Sequence, residues 1–174
     1  MTPEFSRRER LDTIGERERS VTITADAGER EAVAKRFGLV SVGRLEATLA
    51  IRRDAGSVLA HGRVSGDVVQ ACSVTDAPLS VTIDEPVSLR FVEELASDVE
   101  EIELSEDVLD TMPIESGAID LGEAAAETLA LALDPFPRGP GAAAALTAAG
   151  VVAEEDFQPV NAFAGLKAKM GGTD

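Results

Sequence analysis

The sequence predicts an α+β fold: an antiparallel β-sheet meander, open or barrel-like, with two main helices packed against it, an acidic loop and a flexible C-terminal region. Three observations carry this expectation. Apolar and polar residues alternate at period two over long central stretches, the pattern of half-buried strands. Asp26 stands three residues before Glu29, and Asp120 three before Glu123, the spacing of a helix capping box. Short turn-forming runs, rather than helices, separate the central alternating stretches.

Residues 20–24 (Ser-Val-Thr-Ile-Thr) alternate polar and β-branched groups and read as the first strand. The helix opened by Asp26 carries Val33 and Phe37 on one face, and Gly38 can take the left-handed conformation that ends it, so a helix is expected near 26–37. From Leu45, the residues Ala47, Leu49 and Ile51 share one parity while Arg44, Glu46, Thr48 and Arg52 share the other, giving a strand over 42–53. Asp54-Ala55-Gly56-Ser57 is a turn, and the valine- and glycine-rich 58–72 is a long, twisted strand. Asp76-Ala77-Pro78 turns the chain again. Leu79, Val81, Ile83, Val87, Leu89 and Phe91 then define a strand over 79–93, expected to bend or break at Pro86. Short strands are expected near 101–104 and 118–119, and a second helix over 121–133, stopped by Pro135. The alanine-rich 139–150 is either a flexible segment or a weak helix. Phe163, Leu166 and Met170 recur at helical spacing and can dock a short terminal helix.

The 174 residues therefore divide into an N-terminal arm (1–19), a single α+β domain (20–137), and an Ala/Gly/Pro-rich linker with a short docking segment (138–174). Hydrophobic residues at 44% supply a core, but there is no Trp or Tyr, so aliphatic side chains and alanine must fill it. No apolar run approaches the ~20 residues that span a bilayer, and residues 1–20 are charged where a signal peptide is apolar; a cytoplasmic protein that engages no membrane is expected.

Formal net charge is −16, unevenly spread. Residues 1–65 hold 12 Lys and Arg against 10 Asp and Glu; residues 66–174 hold 4 against 22. Nine carboxylates between Glu93 and Asp110, among them Glu100, Glu101, Glu103, Glu106 and Asp107, form a block that is either a solvated loop or a docking surface for a basic partner. Arg7, Arg8 and Arg10 belong to a zwitterionic arm and are the candidates for contact with RNA phosphate.

Catalytic signals are weak. The single histidine, His61, lies in a strand-like run and is read as an ordinary strand residue, and Cys72 as a small buried hydrophobe. One cysteine and one histidine cannot assemble a zinc site of the usual kind, the acidic block lacks the glycine of a calcium loop, and Arg138-Gly139-Pro140-Gly141 lacks the context of a phosphate loop. No catalytic residue, metal, cofactor or small-molecule substrate is assigned.

The string also resembles the YceD family of large ribosomal RNA subunit accumulation proteins, in a form similar to its alphaproteobacterial branch. The residues that carry the resemblance are Pro3-Glu4-Phe5-Ser6-Arg7, Glu29-Arg30-Glu31 leading to Arg36-Phe37-Gly38-Leu39, Val68-Val69-Gln70-Ala71-Cys72-Ser73-Val74-Thr75, and Leu89-Arg90-Phe91-Val92. Ile119-Asp120-Leu121-Gly122-Glu123 follows, running on to Asp134-Pro135-Phe136-Pro137, and Phe163-Ala164-Gly165-Leu166 closes a match over about residues 3–168. Many relatives carry paired cysteines suggestive of metal; here Cys72 stands alone, so the resemblance implies no zinc. It implies a non-catalytic accessory factor for synthesis, accumulation or assembly of large-subunit ribosomal RNA. The expected partners are a basic ribosomal or ribosome-assembly protein on the acidic face and the large-subunit rRNA precursor on the Arg-bearing arm. The alternative is a metal-dependent enzyme with an acidic site, such as a ribonuclease.

Overall fold

The structure, a computed structural model, describes residues 3–93 and 110–152. Seven strands are present among them: β1 (Arg8–Arg10), β2 (Arg19–Thr24), β3 (Ser41–Asp54), β4 (Ser57–Ala71), β5 (Pro78–Glu93), β6 (Asp110–Ile114) and β7 (Ala118–Asp120). The helices are α1 (Ala27–Arg36), α2 (Leu121–Leu131) and α3 (Ala142–Ala148), and a short 3-10 turn covers Leu11–Thr13. The order β2-β3-β4-β5-β6 makes one five-stranded sheet, and β1 pairs with β7 in a separate two-stranded sheet. The large sheet stays open, so the barrel-like form is not adopted.

The three long strands fall where period two placed them, and their pairing is antiparallel. Register puts Ile51 beside Ala60 and Ala60 beside Leu89, so the apolar sets of all three strands meet on one face. Leu45, Leu49, Ile51, Val58, Val64 and Phe91 on that face are buried. A bulge between Val42 and Arg44 resets parity, so Val42 and Leu45 both face inward. The turn into β4 is the expected two-residue one: Ala55 and Gly56 take φ of 43° and 87° between paired Asp54 and Ser57.

Pro86 neither breaks nor ends β5. It sits opposite Arg63 in an uninterrupted ladder. The neighbouring strand β6 pairs with β5 only from Leu89 onward, so the edge beside Pro86 asks for no N–H donor. On the same stretch, Arg63 Nη1 donates to the Asp84 carbonyl at 3.1 Å.

The pairing of β5 with β6 is parallel, which makes the sheet mixed rather than wholly antiparallel. Period two gave no warning of β6, because five residues containing Pro113 carry too little alternation. The strand expected at 101–104 lies outside the described residues, whereas the one near 118–119 is β7.

Both helices cover the apolar face. In α1, Asp26 accepts from the Glu29 N–H at 2.9 Å and the Glu29 carboxylate accepts from the Asp26 N–H at 2.8 Å, a complete capping box. Gly38 at φ 65° ends it, with the Leu39 N–H donating to the Ala34 carbonyl at 2.9 Å. In α2, five of the eleven residues are Gly or Ala, and Leu129 reaches the sheet over Gly66, where a Cβ would overlap its methyl. Gly62 is tighter still, since a Cβ there would fall inside the contact shell of the Thr48 carbonyl oxygen. Of the alanine-rich segment, Ala142–Ala148 is helical and Ala142 is buried; the docking segment around 163–170 lies outside the described residues.

Candidate functional site

Residues 3–19 are tied to the domain at several points. Phe5 is wholly buried, and the chain beyond it crosses the start of α2 so closely that a Cβ on Gly122 would meet the Phe5 carbonyl at 2.6 Å. Asp120 gathers this crossing. Its Oδ1 accepts from the N–H groups of Arg7 (2.8 Å), Gly122 (3.0 Å) and Glu123 (3.2 Å), and its Oδ2 accepts from the Ser6 hydroxyl. The cap on α2 was legible in the sequence, but only half of the box forms. Glu123, which the spacing assigned to the other half, is drawn instead to Arg36.

Two arginines complete the clamp. Arg7 donates to both carboxylate oxygens of Glu29, at 2.6 and 2.9 Å, and to the Thr24 carbonyl at 3.0 Å. The hydrogen bond from Arg7 holds the Glu29 carboxyl below its ordinary range. Arg36, at the end of α1, donates to both oxygens of Glu123 at 2.8 Å and to Glu4 at 3.0 Å. Its guanidinium pKa is raised, chiefly by the Glu123 hydrogen bond.

Beside this clamp lies a cleft of about 390 Å³ between the N-terminal segment, α2 and the β6–β7 region. Phe91, Met112, Pro113 and Ala118 give it an apolar lining, and Glu115, Asp120, Glu123 and Glu127 supply carboxylates; Arg8 contributes the cation. Glu127 is only loosely paired. Its nearest cationic contact is Arg36 at 3.9 Å, and desolvation first, then the charge of Glu123, push its carboxyl above the ordinary value. The cleft thus combines an apolar lining with carboxylates. Among the described residues, no group of three or more His, Cys, Asp or Glu side chains is placed to hold a metal ion.

The three candidate RNA-contact arginines separate in this geometry. Arg7 is engaged inside the clamp. Arg8 is exposed and donates to the Glu115 carbonyl at 2.9 Å, and Arg10 is exposed with its guanidinium on Asp12 at 2.6 and 3.0 Å. Glu100, Glu101, Glu103, Glu106 and Asp107 lie outside the described residues. His61 stands on the wet sheet face, its Nε2 3.5 Å from Glu18. Cys72 is fully buried. Its sulfur accepts from the Gly139 N–H at 3.3 Å, and that bond, with Thr75 and the Val74 N–H, lowers the thiol pKa to about 7.

Sequence reasoning missed Glu115, Glu127 and Met112 as a group. Glu123 and Glu127 are four apart on α2 and share one helix face, but nothing local showed that the N-terminal segment and β6 would wall that face into a cleft.

An open mixed sheet with two helices on one face, locked by an N-terminal crossing over the second helix, defines an α+β domain with an acidic, apolar-lined cleft. A family model described as large ribosomal RNA subunit accumulation protein YceD matches residues 60–168, more than half of the chain, and the chain belongs to the YceD family. The matched region holds most of β4 and all of β5, β6, β7, α2 and α3; the resemblance of residues 3–59 falls outside it. No curated protein and no solved structure gives a match. No helix among the described residues is long and apolar enough to cross a membrane.

Proposed function

We propose that this chain is a non-catalytic accessory factor for large-subunit ribosomal RNA, acting in the cytoplasm by holding a basic, partly apolar segment of a ribosomal or ribosome-assembly protein in the acidic cleft. The observation that carries the reading is the pairing of an under-compensated carboxylate, Glu127, with the Phe91–Met112 lining in one cavity. Lysine and arginine present this combination, an apolar stem with a charged head. Residues 94–109, between β5 and β6 in the sequence, are acidic, and their charge adds long-range attraction for the same partner. Contact with precursor RNA is assigned to Arg8 and Arg10, the two exposed residues among the three candidate arginines.

The test is binding of purified large-subunit ribosomal proteins and of precursor RNA at two salt concentrations. Glu115→Gln/Glu127→Gln should weaken protein binding by about tenfold, the loss of roughly 1.4 kcal/mol, and leave RNA binding intact. Replacing Glu100, Glu101, Glu103, Glu106 and Asp107 by amides should slow association and flatten its salt dependence. Equal loss of protein and RNA, or no loss of either, overturns the reading. So does cleavage of precursor RNA by the purified chain with added magnesium, which the ribonuclease alternative requires.

A further inference from the structure

A second depression, of about 330 Å³, lies at the opposite end of α2 and is not used by the proposed function. Leu39, Ala130 and Leu133 line it together with Pro135 and Pro137, and Asp134 is its acid. Phe136, between the two prolines, is 72% exposed, and Val40, next to Leu39, is 58% exposed. Large apolar side chains left open around an apolar groove ask for a cover.

The chain itself leads there. Ser73 and Pro137, both on the groove wall, are joined by the Ser73 N–H donating to the Pro137 carbonyl at 2.8 Å. Two residues on, Gly139 packs on Leu79 and binds Cys72, and α3 starts at Ala142. Seven helical residues advance the chain by only about 10 Å, so Val152 remains near this end of the molecule. From Val152 to Phe163 the backbone can span up to roughly 35 Å, far more than the groove requires.

The segment that follows matches the groove in chemistry. Phe163, Leu166 and Met170 recur at helical spacing, and in a helical register Lys167 and Lys169 would fall on either side of them. They are the only bases after Arg138. At the groove, α2 ends with no basic residue in its last turn, which leaves the negative end of its dipole and Asp134 without a cation from that helix.

We propose that the C-terminal segment 163–170 of this chain docks in the groove, with Phe163, Leu166 and Met170 covering Leu39, Ala130 and Leu133, and with its lysines beside Asp134 and the end of α2. This is intramolecular and independent of the cleft described above.

The experiment uses the full-length chain. Phe163→Asp/Leu166→Asp should shift the amide resonances of Leu39, Ala130 and Leu133 and make their hydrogen exchange roughly tenfold faster, while the amides of Glu115 and Ala118 stay unchanged. A nitroxide on Lys169→Cys, in a chain also carrying Cys72→Ser, should broaden the same groove amides. Unchanged groove amides, or changes centred on another face, overturn the proposal. Mixing spin-labelled chain with unlabelled, isotope-enriched chain separates the remaining case: broadening that crosses between molecules means that the groove takes the segment of a second copy, and intramolecular docking is then rejected.

Discussion

The guanidinium of Arg7 and the carboxylate of Glu29 meet fork to fork, at 2.6 and 2.9 Å, and by doing so bind the N-terminal segment to the start of α1. Glu29 already serves the helix by accepting from the Asp26 N–H, so one carboxylate caps a helix and anchors a distant segment together.

Removing Arg7 should therefore act on stability. Arg7→Ala is expected to cost about 1–3 kcal/mol, because Glu29 and the Thr24 carbonyl lose charge-assisted bonds. Arg8→Ala/Arg10→Ala should leave the urea midpoint close to that of the parent, since both residues are exposed. Urea denaturation of the two variants checks this, and only the second pair is a clean probe of RNA contact.

Acid should separate two glutamates. Glu29 has a lowered pKa in the fold, so its contribution is complete above the ordinary value of 4.5 and is lost as pH falls through the lowered one. Glu29→Gln should be less stable than the parent at pH 7, with the difference closing as pH falls through the lowered pKa. Glu127 has the opposite sign: its raised pKa favours the fold at low pH and counts against it as pH rises through that value. Glu127→Gln should unfold at a higher urea concentration than the parent at pH 7 and match it in acid.

The glycines of β4 should not tolerate a methyl group equally. At Gly62 the obstacle is the Thr48 backbone, which cannot turn aside, so Gly62→Ala should cost about 3 kcal/mol or more. At Gly66 the nearest obstacle is the end of the Leu129 side chain, with the Arg44 carbonyl next at 3.0 Å. Gly66→Ala should cost about 1–3 kcal/mol, and less when Leu129→Ala is already present. A double-mutant cycle read by thermal unfolding decides it.

Cys72 should be a slow thiol with an acidic pKa. Its bonds to Gly139 and Thr75 stabilise thiolate near pH 7, but the residue is buried. A soluble disulfide reagent should modify the native chain roughly tenfold or more slowly than the urea-unfolded chain, at a rate set by local opening. Equal rates in both states would show that the fold does not shield the sulfur.

The long strands were legible because alternation over a dozen residues outweighs local exceptions, and α1 because its cap, apolar pair and terminal glycine all agree. Features set by tertiary contact were not. Pro86 reads as a breaker until it is known that, among the described residues, no strand pairs with β5 beside it on the β6 side, and Glu123 reads as a capping partner until Arg36 arrives from another helix. The cleft belongs to this second kind. Its walls come from residues near positions 3, 91, 112 and 127, and no window of sequence holds them all.

The crossing of the N-terminal segment over α2 also governs when the chain can finish folding during synthesis. Arg7 and the carboxylate that receives it, Asp120, are 113 positions apart. At about 5–20 residues per second, the Arg7 segment waits roughly 6–23 s for its partner to be made. Through that interval Phe5 has no pocket to enter, and the nascent chain is open to capture by whatever surface will shelter it.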